Sequence, residues 1–228
     1  MTSTRLAVID TGQVNERILN KDEYRADFRK VEGASLKRTT HLSSPHAKRM
    51  FARCFYSFQA SMYFISQLGR AKLDHEVVER IEQNIREALD AATDEINKAI
   101  DQAEALLKHH NIETLASYDT VPLQEQIGIT SSFGRRYFDL MHKLDIVMPM
   151  METLAIEEII SERELETRRS LYKRVVLSIS TKARNLWMGV RRRMNERDAR
   201  LAAEAAKPRP QAPRPAPSTN PDQDGPLA

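Results

Sequence analysis

Lys37, Arg38, Thr39, Thr40 and His41 follow one another without interruption inside the segment SLKRTTHL, residues 35–42. Each of these side chains can donate a hydrogen bond, and Lys37 and Arg38 are cationic. The chemistry open to such a run is recognition. Lys and Arg suit guanine O6 and N7 on the major-groove edge of a base pair, and a Thr hydroxyl suits either a donor or an acceptor. The segment is short and contains neither Gly nor Pro. If it is extended, alternate residues point to opposite faces. Leu36, Arg38, Thr40 and Leu42 then share one face, and Lys37, Thr39 and His41 share the other. The expectation is an edge strand with a polar, basic outer surface.

Bond-making chemistry finds less support. The chain carries no P-loop, GxGxxG, GxSxG or HExxH motif, and no Cys/His cluster at metal-binding spacing. Of the six histidines, only His109 and His110 are adjacent. They fall at the end of an expected helix, where a cationic or hydrogen-bonding side chain helps satisfy free carbonyls. A metal site there would need partners that the sequence does not offer. No nucleophile–base pairing emerges, so neither an enzyme, a metal nor a cofactor is expected. The single cysteine, Cys54, lies among Phe51, Phe55 and Phe58 and reads as core packing. One cysteine excludes an intramolecular disulfide framework and suits a reducing compartment.

The elements that must hold the 35–42 segment in place read as helices. Only seven glycines and 6% aromatic residues argue against a many-stranded β fold, and 41% hydrophobic residues suffice for a core. Ser43, Ser44 and Pro45 form a helix start, because a Ser cap satisfies a free N–H and Pro at the first position loses nothing. The apolar positions Ala47, Met50, Phe51, Cys54, Phe55, Phe58, Met62, Ile65 and Leu68 then recur every three or four residues, and Gly69 should end the helix. His46, Lys48, Arg49 and Arg53 are expected on its outer side. A second helix runs from about Asp74 to His109, reaching roughly 50 Å at 1.5 Å per residue. Helices that long usually scaffold a bundle or pair with another chain.

Residues 110–131 read as a loop, marked by Asn111, Pro122 and Gly128. Ser131 or Ser132 should cap a third helix carrying Tyr137, Phe138, Met141, Leu144 and Met148, which Pro149 should kink or end. Ser161 and Glu164 form a capping box before an amphipathic helix with Leu165, Leu171, Val175 and Val176. A further basic helix holds Leu186, Trp187, Val190 and Met194. The fold class is therefore mainly α: a short strand, then helices, extended by a long-helix bundle. Residues 1–34 show no firm period, 35–206 form the helical domain, and 207–228 form a Pro-rich tail. The five prolines from Pro208 to Pro217 should keep that tail extended and disordered. No apolar stretch reaches the ~20 residues of a membrane span, and the N-terminus lacks the apolar core of a signal peptide. A cytoplasmic location is expected.

Net charge is only +3, but it is unevenly spread. Residues 74–108 are rich in Asp and Glu, whereas 163–200 carry Arg168, Arg169, Lys173, Arg174 and the run Arg191, Arg192, Arg193. Such asymmetry suits an anionic partner, usually nucleic acid, and equally a solvated helix face.

A strand followed by two helices is the outline of a ribbon-helix-helix unit. There, two chains pair their strands and the ribbon enters the major groove of double-stranded DNA. Lys37, Arg38, Thr39, Thr40 and His41 would meet the bases, and Ser44, Lys48 and Arg49 at the helix start would meet the backbone. A homodimer follows, because one strand alone has no pairing partner. Two features depart from that outline. The helix from Pro45 is about twice the usual length, and the second helix begins with Asp74 and Glu76, a poor place for a phosphate. Backbone contacts would then fall to Lys48, Arg49 or the basic C-terminal helices.

The stretch from Leu42 to Met194 resembles the AcaB-like family of conjugative plasmids and integrating conjugative elements. The resemblance rests on LSSPHAKRMF (Leu42–Phe51), the long acidic helix, and SSFGRRYFDLMHKLD (Ser131–Asp145), a helix start with an aromatic pair and an Asp. It covers about two-thirds of the chain. It implies a ribbon-helix-helix transcriptional regulator that activates transfer genes, for which RNA polymerase would be a further partner. Two other readings stand beside it: a non-enzymatic scaffold or adaptor of the conjugation machinery, and an accessory DNA-binding protein at a transfer origin.

Overall fold

The computed structural model describes residues 34–206. The expectations for the N-terminal extension and for the Pro-rich tail fall on residues 1–33 and 207–228, outside the described residues. The chain divides into two compact units at residue 194. Of the second, the described part is an exposed helical stretch, residues 195–205, with Ala206 closing it.

The first unit opens with strand β1 (Leu36–Leu42). A helical run, α1, follows over residues 45–72 and leads into α2 (His75–His109). Strand β2 (Leu123–Ile129) comes next, then α3 (Ser132–Ile156) and α4 (Glu162–Ala205). The mainly helical class, with a short strand ahead of long helices, is as the sequence indicates.

β1 pairs antiparallel with β2 of the same chain, from Leu36 opposite Ile129 to Leu42 opposite Leu123. This corrects two expectations. Residues 110–131 are not all loop, and the ribbon needs no second chain to exist. The alternation Leu123, Ile127 and Ile129, all buried, supplies the apolar face that seats β2 on the helices.

α1 starts as its sequence dictates. The Ser44 side chain accepts from Ala47 N, and Pro45 occupies the first turn. The run then passes through two π-helical stretches, Phe51–Phe55 and Phe64–Gly69. In a π turn the hydrogen bond spans five residues instead of four, so the buried stripe falls behind the regular helical spacing. That is why the inward position after Ile65 is Gly69 and not Leu68, which is exposed. Gly69 does not end the helix. A Cβ there would lie 3.4 Å from Val78 and 3.5 Å from Val190, so this is a packing position. The chain leaves helical geometry only at Leu73, with φ −118° and ψ 164°.

α2 buries Val78, Ile85, Leu89, Ala92, Ile96, Ala99, Ala103 and Leu107 along one stripe. Its contacts with α3 advance in step: Arg86 over the Phe133 ring, Asp90 with Arg136, Asn97 with Lys143. The two helices therefore run parallel, and the segment containing β2 is the return crossover. α4 lies antiparallel to α3, with Tyr137 OH donating to Val176 O and Arg169 paired with Glu152. Pro149 neither ends α3 nor leaves it unsupported. The helix continues to Ile156, Thr153 Oγ1 donates back to Pro149 O at 2.7 Å, and Met148, Met150 and Met151 are buried around it. Ser161 Oγ caps Glu164 N as expected. The two expected C-terminal helices are one, because no Pro interrupts Glu162–Ala205 and Gly189 is accommodated in it. Leu171, expected in its apolar stripe, is exposed. Among the described residues, no helix is long and apolar enough to cross a membrane.

Candidate nucleic-acid interface

The pleat sorts the ribbon into two faces. Lys37, Thr39 and His41 are exposed and lie opposite Gly128, Gln126 and Gln124. These six positions form one face with no carboxylate on it. The alternate positions turn the other way: Thr40 and Leu42 of β1, and Leu123, Ile127 and Ile129 of β2, are buried. Arg38 shares the inward side but remains exposed near the open end of β1, 3.8 Å from Asp139.

β2 is held against α1 by side chains that are themselves fixed. Gln59 is fully buried, donates to Gly128 O at 3.1 Å and accepts from Thr130 N at 3.2 Å. A Cβ at position 134 would lie 2.6 Å from Gln59 Oε1, so a larger residue there would displace the Gln59 amide from its bonds to β2 and Thr130. Glu125, opposite Thr40, lies on the inner face by the pleat, and Tyr56 OH donates to its Oε1. Gly128 leaves room above it for Lys37, whose Nζ would be 3.3 Å from an added Cβ. At the other end of the ribbon, Gln124 Nε2 and His41 Nδ1 are 3.2 Å apart.

The corner between β1 and α1 is built by groups from distant parts of the chain. Asp145 of α3 accepts from Ser43 N at 3.0 Å and from Ser44 N at 2.6 Å. A carboxylate therefore already occupies the start of α1, where the helix dipole would favour an anion. The helix N-terminus offers little to a phosphate, contrary to the expected clamp. Lys48, 2% exposed, donates from Nζ to Val121 O at 2.5 Å and to Thr120 Oγ1 at 3.3 Å. Thr120 in turn donates to Ser43 O.

The eight expected contact residues thus fall into three groups. Lys37, Thr39 and His41 stand together on the outer ribbon face. Arg38 and Arg49 are exposed away from it. Thr40, Ser44 and Lys48 are interior, and Ser44 and Lys48 brace the corner between β1 and α1. Gln124, Gln126 and Asp145 were not singled out from sequence as functional residues. The signal for the glutamines is the alternation in LQEQIGI, which the Pro122 and Gly128 markers obscured.

The cationic groups near α1 leave a mark on His46. Its imidazole is held below its usual pKa by burial, then by Lys173, Arg169 and Arg49, against the opposing Glu152. His142 is also lowered, mainly by burial, against Asp145 and Asp139. Burial raises the Cys54 thiol above its usual pKa, in keeping with its place in the core. No group of His, Cys, Asp and Glu among the described residues is arranged to hold a metal ion.

The sequence matches no protein-family model. It also matches no curated protein. The fold is similar to that of the crystal structure of AcaB from uropathogenic E. coli, with a TM-score of 0.64 and 20% identity. The likeness spans 76% of this chain and 84% of that one. A likeness at this identity is a likeness of fold.

Proposed function

We propose that the chain is a sequence-specific DNA-binding regulator of transfer genes on a bacterial mobile element, acting through the outer face of the β1–β2 ribbon. The observation that carries this reading is the composition of that face. It presents Lys, Thr, His and two Gln with no carboxylate, while the one acid in β2, Glu125, is bonded to Tyr56. A two-stranded ribbon fits the major groove, which is about 12 Å wide. Arg38 and Arg49, exposed but off that face, would be left to contact the phosphates flanking the groove. The resemblance carried by Leu42–Phe51 and Ser131–Asp145 supports a regulatory role in conjugation, and the AcaB-like fold agrees with it.

In this reading each chain brings a complete ribbon. A second copy would serve to read a repeated site, and RNA polymerase would be contacted by some other surface if the regulator is an activator. The test is binding of the purified protein to promoter fragments of its own element against scrambled DNA, at several salt concentrations. Specific binding above the steep, salt-sensitive background is expected. Equal binding to both, or none, would remove the DNA-reading function and put an adaptor role first.

A further inference from the structure

A ribbon built from the same strand of two chains is symmetric, and so is the site it reads. The ribbon here is not: Lys37 faces Gly128, Thr39 faces Gln126 and His41 faces Gln124. We propose that Gln124 and Gln126 of β2 are base-reading residues, and that each chain therefore reads a non-palindromic element through two unlike strands. The proposal rests on the DNA-reading function above.

Both glutamines are exposed, on the same side as Lys37, Thr39 and His41. Neither is needed by the core, which takes Leu123 and Ile127 from the same strand. A primary amide offers a donor and an acceptor side by side, the pair that adenine N6 and N7 require, whereas Lys and Arg only donate. Alternate residues of a strand are about 6.8 Å apart, close to two base-pair rises of 3.4 Å. Gln124 and Gln126 would thus meet adenines two steps apart. The two ends of the face also differ in chemistry. Lys37 reaches over Gly128 at one end, which suits guanine, and the amide of Gln124 stands beside His41 at the other.

The experiment uses the full chain and a DNA fragment that it binds specifically, with each base pair changed in turn. Gln126→Ala is expected to abolish the preference for adenine at one position, about a tenfold loss in the affinity ratio, and to leave binding to scrambled DNA unchanged. Gln126→Glu is expected to turn that preference from adenine to cytosine, since a carboxylate accepts from cytosine N4; a structural role does not change which base is chosen. Gln124→Ala should relax a position two steps away. If all three variants keep the wild-type preference at every position, the inference is overturned and DNA reading itself survives. If wild-type protein shows no preference to begin with, the DNA-reading function fails and takes the inference with it. Loss of helix content in Gln126→Ala also overturns it, by making Gln126 a packing residue.

Discussion

The two faces of the ribbon are built from alternate residues of the same two strands and have nothing else in common. The inner face sets Leu42, Leu123, Ile127 and Ile129 against the helices and has Gln59 and Tyr56 bonded to β2. The outer face sets Lys37, Thr39, His41, Gln124 and Gln126 in solvent. The difference teaches that in a two-stranded ribbon the pleat separates the residues that hold the fold from those left in solvent, on which the proposed recognition rests. Inner substitutions should cost folding, and outer ones should cost only binding.

The largest effect should come from the inner face itself. Leu123→Ala removes a fully buried side chain and is expected to lower stability by about 2–5 kcal/mol, read as a shift in the urea midpoint. The neighbouring outer substitution Gln124→Ala should stay within about 0.5 kcal/mol of wild type. Similar costs for the two would break the comparison.

Asp145→Asn comes next. It weakens charge-assisted bonds to Ser43 N and Ser44 N at the β1–α1 corner, for about 1.5–3 kcal/mol. Amide exchange in residues 36–42 should rise more than in α2. Gly134→Ala should cost about 1–3 kcal/mol, because its Cβ would displace Gln59 and break the bonds to Gly128 and Thr130. Unchanged stability in that variant would mean that Gln59 does not hold β2.

A smaller effect concerns pH. His46 and His142 both have lowered pKa values in the fold. The unfolded chain therefore binds protons more readily at these positions. Their contribution to stability is full above the ordinary imidazole value of about 6.5 and falls as pH drops through it. The melting temperature should decline between about pH 7 and pH 5, and His46→Leu should reduce that slope. A steeper slope in the variant would contradict the assignment.

Local signals carried most of the helical part into view from sequence. Ser44, Ser131 and Ser161 cap where their hydroxyls permit, and α2 spans His75–His109 against an expected start at about Asp74 and end at His109. What stayed hidden depends on contacts far along the chain. β2 has only seven residues, and its partner β1 lies before two long helices. The inward turn of Lys48 depends on Val121 and Thr120, and the corner on Asp145, none of which adjoins it in sequence. The π turns displaced Leu68 from the core without altering the local pattern. Half of the proposed recognition face could be read directly from SLKRTTHL; the half on β2 could not, because its place beside β1 is set by pairing.

The central claim is that recognition resides on the outer face alone, and one variant tests it most directly. The triple substitution Lys37→Ala, Thr39→Ala, His41→Ala should be measured for urea stability and for binding to the specific fragment and scrambled DNA. The predicted result is wild-type stability within about 0.5 kcal/mol and loss of specific binding. Specific binding at wild-type strength would contradict the claim and move the reading surface elsewhere on the molecule.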